Sequence, residues 1–124
     1  MINCSSNYLN PTNFVKRGSY FIVVHPNNNG ITRISKPAEK YMPWCHAMAP
    51  QSGWRLPTIE ELKIIRQIYI ILKPYYKDLI VTERVWSSDQ DPNNNLKALF
   101  LNFDSGQSAS EDKNLPLEVI YVYP

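Results

Sequence analysis

The feature that most constrains the fold is a turn that leads directly into a helix, in segment 53–62 with the sequence GWRLPTIEEL. Thr58 and Glu61 have the spacing of a capping box, in which each side chain bonds the backbone of the other residue. Apolar residues then recur at helical intervals, at Leu62, Ile65, Ile68 and Leu72. Pro74 ends this pattern. We therefore predict a helix that starts after Thr58, ends before Pro74 and buries one face.

The region before this helix predicts a hairpin and a shorter helix. Residues 20–25 are aromatic and β-branched, which is typical of a buried strand. The turn residues at 27–30 join it to a second short strand at 31–34. Helical spacing of apolar residues predicts a first helix over 38–48. Pro43 lies inside that helix, so we expect a kink or a break there.

The region after the helix predicts further strands, at 85–87, 98–103 and 117–123. Polar loops are predicted between them, at 89–95 and 108–114. Strands, two helices and then strands indicate an α+β domain rather than an alternating parallel sheet. We place this domain at residues 20–124. Residues 1–19 are polar and turn-rich, and we expect an irregular lead-in.

The composition is that of one globular domain. A chain of 124 residues, 44% of them hydrophobic and 19% charged, can bury a core without support from metal or disulfides. Thirteen basic against eleven acidic residues leave a net charge of +2, and the basic residues are scattered. That pattern excludes nucleic acid as the expected partner. No apolar run approaches the roughly 18–20 residues of a membrane span.

The sequence leaves the cellular compartment open. Residues 1–3 cannot supply the charged and apolar regions of a secretory signal. Cys4 and the two serines after it would suit the start of a mature lipoprotein if an upstream signal had been removed. We expect a surface or secreted protein in that case, and a cytoplasmic or phage-associated one otherwise. Cys4 and Cys45 either form one bridge or remain two thiols.

No residue pattern predicts catalysis or a metal site. Cys45 and His46 are adjacent, but neighbouring helical residues point about 100° apart and cannot act as a nucleophile with its base. The alternating oxygens of 89–95 imitate the start of a calcium loop. However, Asn94 stands where a calcium loop needs glycine, and Phe100 stands where it needs a bidentate glutamate. We therefore expect no enzyme activity, no cofactor and no metal.

The turn-helix segment, together with Trp86-Ser87-Ser88 and the strand 98–103 before Gly106, resembles one bacterial domain family. This is the domain of unknown function at the C-terminus of a Legionella collagen-like adhesin and in Bacteroides-type surface proteins. It implies a C-type-lectin-like fold: two helices on a small, mostly antiparallel sheet whose closing strand, 117–123, pairs with 20–25. Its structural motif corresponds here to Trp54, Arg55, Leu56, Pro57, Thr58, Glu61, Trp86 and Ser87.

The resemblance also implies roles for individual residues. Trp54 and Leu56 should anchor the turn, Arg55 should bind backbone carbonyls or a carboxylate, and Trp86 should pack under its strand. Members often pair a helix cysteine at the position of Cys45 with one in the last strand. That strand has tyrosines here, so this bridge is impossible. The segment 86–88 lacks the acidic ligands of calcium-dependent lectins, so we expect binding without calcium.

The function that these patterns indicate is a non-enzymatic recognition module for a glycan or a protein. Binding residues concentrate in loops on a rigid scaffold, and we predict ligand contacts at Asp89, Asp91, Asn93, Asn95, Ser108 and Ser110. The alternative is a structural or assembly subunit of a phage or bacterial surface appendage, and a homo-oligomer in which those loops are buried would favour it. Related folds include formylglycine-generating oxidases. Their cysteine pair is missing here, since no cysteine follows Cys45.

Overall fold

A computed structural model describes residues 14–17, 20–23, 31–38, 40–48, 53–76 and 83–123. It is an α+β structure, as predicted. Its strands and helices are, in chain order, β1 (Phe14–Arg17), β2 (Tyr20–Val23), β3 (Arg33–Ser35), α1 (Trp44–Ala47), α2 (Ile59–Leu72), β4 (Arg84–Gln90), β5 (Lys97–Asn102), β6 (Ser108–Asp112) and β7 (Val122–Tyr123).

The strands form two antiparallel sheets, with orders β1-β2-β3-β7 and β4-β5-β6. The predicted hairpin is present, because β2 pairs with β3 through Phe21 and Ile34. The predicted pairing of the closing strand with 20–25 is wrong. Strand β7 pairs with β3 instead, through Val122 and Ile34. Strand β2 already has β1 on one edge and β3 on the other, so neither edge is open to β7.

Several predicted boundaries also need correction. Residues Phe14–Arg17 of the expected irregular lead-in form strand β1. Of the described residues in the predicted helix over 38–48, only Trp44–Ala47 are helical, and this helix begins directly after Pro43, where a break was expected. The predicted loop 108–114 is mostly strand β6, because its backbone pairs with β5. In the predicted strand 117–123, only Val122 and Tyr123 form a strand.

Helix α2 agrees closely with its prediction. Thr58 is its N-cap, and the capping box is complete. The helix ends at Leu72, two residues before Pro74. Its buried side chains include the four apolar residues that define the predicted face, Leu62, Ile65, Ile68 and Leu72. The periodicity therefore identified both the element and its orientation.

The buried residues that the structure describes form two hydrophobic clusters, and β4 and β5 lie between them. One cluster joins helix α2 to both sheets and includes Ile65, Leu101 and Val122. The other includes Trp86 and Phe100, and it is closed by α1 and the turn before α2. Successive residues of β5 serve opposite clusters because side chains alternate along a strand. Among the described residues, no helix is long and apolar enough to cross a membrane.

Candidate functional site

The turn before α2 is held by an ion pair with fork geometry. Arg55 donates from Nη1 to Glu61 Oε1 at 2.7 Å and from Nη2 to Oε2 at 2.8 Å. The same Oε1 accepts the Thr58 backbone N–H at 2.9 Å, and the Glu61 N–H donates to Thr58 Oγ1 at 3.2 Å. Glu61 is buried. The role expected of Arg55, which was to bind a carboxylate or backbone carbonyls, is confirmed.

The pKa values of this pair follow from its contacts. Burial by itself raises the pKa of Glu61, but the hydrogen bonds from Arg55 and Thr58 outweigh it, so the pKa is lower than usual. The hydrogen bond to Glu61 raises the pKa of Arg55, against the opposing effect of burial. Both shifts favour the charged pair. The arrangement stabilises the turn.

Trp54 and Leu56 anchor this turn in different places. Leu56 is buried in the cluster that contains Trp86. Trp54 is half-buried and belongs to neither core cluster. Its ring contacts Tyr20 and Tyr123 instead, with centroids 5.8 and 5.5 Å away. The turn is therefore attached to β2 and β7 through aromatic contacts, which the sequence did not indicate.

Trp86 is fully buried and fixes the position of β4. Its Nε1 donates to the Met42 carbonyl at 2.9 Å, and Trp44 Nε1 donates to the Ser87 carbonyl at 2.8 Å. Ser87 is also fully buried, and its hydroxyl donates to the Leu99 carbonyl at 2.7 Å. The two tryptophans thus tie the first part of β4 to the segment around α1. The expected packing role of Trp86 is confirmed.

Asp89 lies in strand β4 rather than in the predicted loop. Its carboxylate Oδ2 accepts the backbone N–H of Ile59, the first residue of α2, at 2.9 Å. A carboxylate at a helix N-terminus satisfies a donor that the helix itself leaves unpaired. Ser88 adds a second link, since its N–H donates to the Pro57 carbonyl at 2.8 Å. Asp89 therefore has a structural contact at the start of α2.

The residues after β4 form a tightly braced loop at 91–96. Asp91 Oδ1 accepts the Asn93 N–H at 2.8 Å, and Asn94 Oδ1 accepts the Leu96 N–H at 2.9 Å. Each contact spans two residues and closes an Asx turn. The backbone of Asp91 also donates to the Lys97 carbonyl at 3.1 Å. These bonds brace the loop backbone from within.

Lys113, just beyond β6, also braces the 91–96 loop. Its Nζ donates to Gln90 Oε1 at 2.5 Å and to the Asn95 carbonyl at 2.7 Å. It also stands 4.5 Å from the centroid of the Trp44 ring, a cation–π contact. Sequence reasoning missed this lysine. It is distant along the chain, and no local pattern marks it as a partner of the loop.

The side chains of residues 92–96 in this loop are exposed, and Asp91 is half-buried. Asn93 and Asn95 are exposed, and so is Leu96, 70% of whose surface is accessible. Leu115, in the neighbouring turn, is 43% exposed. An apolar residue at the end of a polar run was visible in the sequence, but its exposure was not. The loop thus presents amide groups beside an apolar residue.

Ser108 and Ser110 are placed differently from the other predicted ligand residues. Both lie in β6, where Ser110 pairs with Leu99 and Ser108 with Leu101. Asp112, at the loop end of the same strand, pairs with Lys97. Ser108 is four residues from Asp112, roughly 13 Å along an extended strand. The structure therefore groups Asp91, Asn93 and Asn95 together and leaves Ser108 towards the other end of the sheet.

Of the remaining reactive residues, the structure describes Cys45 and His46. Cys45 is an exposed free thiol, and Cys4 and His25 lie outside the described residues. Within the described ranges, no group of three or more His, Cys, Asp or Glu side chains could hold a metal ion. No family model, curated protein or solved structure matches this chain. The resemblance to the adhesin-type domain therefore rests on the sequence motifs alone.

Proposed function

We propose that this chain is a non-enzymatic recognition module with a C-type-lectin-like fold, related to the adhesin-type domain, which binds a glycan or a protein through the 91–96 loop. One observation carries the proposal. The backbone of this loop is held by its own Asx turns and by Lys113, while Asn93, Asn95 and Leu96 are exposed. A loop fixed before binding loses less conformational entropy when a ligand arrives.

The chemistry of the loop supports both ligand classes. Asparagine side chains supply donors and acceptors that suit sugar hydroxyls or a peptide backbone. Leu96 adds apolar area that suits a protein surface. We propose binding without calcium, because one oxygen each of Asp89 and Asp91 already accepts a backbone N–H. A calcium loop instead directs several carboxylate oxygens at one ion.

A glycan and glycosaminoglycan array tests this proposal, run with calcium and again with a chelator. We expect binding that survives the chelator and that weakens at least about tenfold when Asn93 and Asn95 are both replaced by alanine, as loss of two or more hydrogen bonds predicts. Gln67→Ala is the matched control, since Gln67 is an exposed amide on α2, outside the loop. It should leave binding unchanged.

The outcomes separate the alternatives. Binding that the chelator abolishes would contradict calcium independence. Equal loss in the Gln67 control would show that the loop does not carry the binding. An array that is silent in both conditions, followed by capture of a protein that the double variant fails to bind, would assign a protein ligand. Silence in every assay would favour the assembly subunit, for which the exposed edge of β6 is the supporting observation.

A further inference from the structure

Within the ranges that the structure describes, the three-stranded sheet has one covered edge and one open edge. Strand β4 is covered, because Trp86 N donates to the Glu118 carbonyl at 3.0 Å and Glu118 N donates to the Arg84 carbonyl at 3.1 Å. Strand β6 is the opposite edge of the sheet. Its residues are exposed or half-buried, and none is buried. An edge of this kind is a template for another strand.

The register of β5 and β6 shows which backbone groups face outwards. Asn102 N donates to the Gln107 carbonyl at 2.8 Å, and Lys113 N donates to the Leu96 carbonyl at 3.1 Å. Hydrogen-bonded positions alternate along an antiparallel pair. Residues 107, 109, 111 and 113 therefore direct their backbone groups at β5, and Ser108, Ser110 and Asp112 direct theirs at the open edge.

The outward groups at the Asp112 end are already used within the chain. Asp112 N donates to Glu111 Oε1 at 2.9 Å, and the Asp112 carbonyl accepts the Leu115 N–H at 3.1 Å. In the part of the chain that the structure describes, the outward N–H and C=O groups of Ser108 and Ser110 meet no hydrogen-bonding partner. The open edge thus offers two donors and two acceptors, centred on Ala109.

We propose that this edge pairs with β6 of a second copy of the chain, antiparallel and centred on Ala109. In that register Ser108 of each copy faces Ser110 of the other. Each of these hydrogen-bonded pairs exchanges two N–H···O bonds, so the four open groups of each copy are all satisfied. A register centred on Ser110 would instead place Ser108 opposite Asp112, whose backbone groups are already bonded.

Side chains along the edge favour the same register. Ala109 would face itself in a non-hydrogen-bonded pair, where the Cα atoms approach to about 4.5 Å and a small side chain fits. Glu111 would face Gln107 of the second copy, so no two acidic residues stand directly opposite each other. Glu111 is also neutralised within its own chain by Arg84 at 3.1 Å. Self-pairing therefore meets no like-charge contact across the strands.

Sedimentation velocity over a concentration series tests the pairing. The wild-type chain should associate reversibly, and Ser110→Pro should associate about tenfold more weakly or not at all, because proline removes one of the two N–H donors that each copy contributes to the pairing. That N–H points away from β5, so the variant should keep its circular dichroism spectrum. Ser110→Ala is the matched control, since it keeps the N–H and should associate like wild type.

Two further variants keep the test decisive if the proline variant misfolds. Ala109→Lys leaves the backbone intact but opposes two like charges across the symmetry axis, so association should fall at low salt. In a background with Cys4 and Cys45 replaced by serine, Ala109→Cys should form a disulfide dimer, because that Cα separation suits a disulfide. Ser110→Cys in the same background should not form a disulfide dimer.

The contrary results are equally specific. A wild-type chain that stays monomeric at every concentration overturns the proposal, as does association that Ser110→Pro and Ala109→Lys leave unchanged. Disulfide formation by Ser110→Cys but not by Ala109→Cys overturns the register. If the chain is a monomer that binds a different protein, and Ser110→Pro abolishes that binding, then the β6 edge binds this other protein and self-pairing is overturned.

Discussion

Replacing Glu61 by glutamine tests the account of the turn before α2. Glu61 has 4% of its side chain exposed, and it accepts two hydrogen bonds from Arg55 and one from Thr58 N. A glutamine can still accept from Thr58, but its NH₂ group would face the guanidinium donors. Hydrogen bonds to charged groups contribute about 1.5–3 kcal/mol each. Arg55 is 41% exposed, so solvent screening reduces the summed contribution of these hydrogen bonds. We expect Glu61→Gln to lower the free energy of unfolding by about 2–3 kcal/mol.

The loss of stability in Glu61→Gln should depend on pH, and the pKa of Glu61 gives its direction. The pKa of Glu61 is lower in the folded protein than its unfolded value of about 4.3. The stabilisation is therefore complete above that unfolded value and is lost as the pH falls through the folded pKa. Glutamine does not titrate at this position. The stability gap between wild type and Glu61→Gln should be constant from about pH 5.5 to 8 and should narrow below about pH 4.

Urea unfolding measures this gap, with tryptophan fluorescence as the signal because Trp86 is fully buried. Glu60→Gln is the matched control. Glu60 is in the same helical turn, but its side chain is 77% exposed and 3.4 Å from Lys63, so it should change stability by less than about 0.5 kcal/mol. A gap below about 0.5 kcal/mol for Glu61→Gln, or one unchanged down to about pH 3, would refute the reasoning.

Two further substitutions test contacts on either side of this turn. Asp89→Ala should cost about 1–2 kcal/mol in urea unfolding, because the Ile59 N–H loses its acceptor at the start of α2; an unchanged midpoint would contradict this capping role. Gly53→Ala should cost more than about 1 kcal/mol, because Gly53 has a φ of 91° and an added Cβ would overlap the Tyr123 ring. A variant as stable as wild type in thermal unfolding would contradict that close approach.

The elements that the sequence predicted correctly are those whose signals are local. The capping box of Thr58 and Glu61, and the apolar spacing after it, depend on residues within four positions of one another. The break at Pro43 follows from the ring of one residue. The β2–β3 hairpin follows from a turn between two β-branched runs. Each of these could be derived without any knowledge of the rest of the fold.

The candidate site was predictable only in part, because sequence signals are local and several of its contacts join residues far apart in the chain. The polar residues after Trp86 identified the 91–96 loop, but its brace, Lys113, is far along the chain. Asp89 was predicted as a ligand residue, although its carboxylate reaches the helix that begins thirty residues earlier. Ser108 and Ser110 were expected in a loop, yet pairing with β5 makes that segment a strand. Short polar segments take their conformation from their neighbours.

The sequence by itself determined the α+β class, the position of α2 and the chemistry of its capped turn, because propensity and periodicity act over a few residues. The tertiary structure decided that β7 pairs with β3, that Trp54 contacts Tyr20 and Tyr123, and that β6 is an edge strand of its sheet. These features join residues far apart in the chain. They depend on which strand edges and faces other elements have already covered, and no local pattern records that.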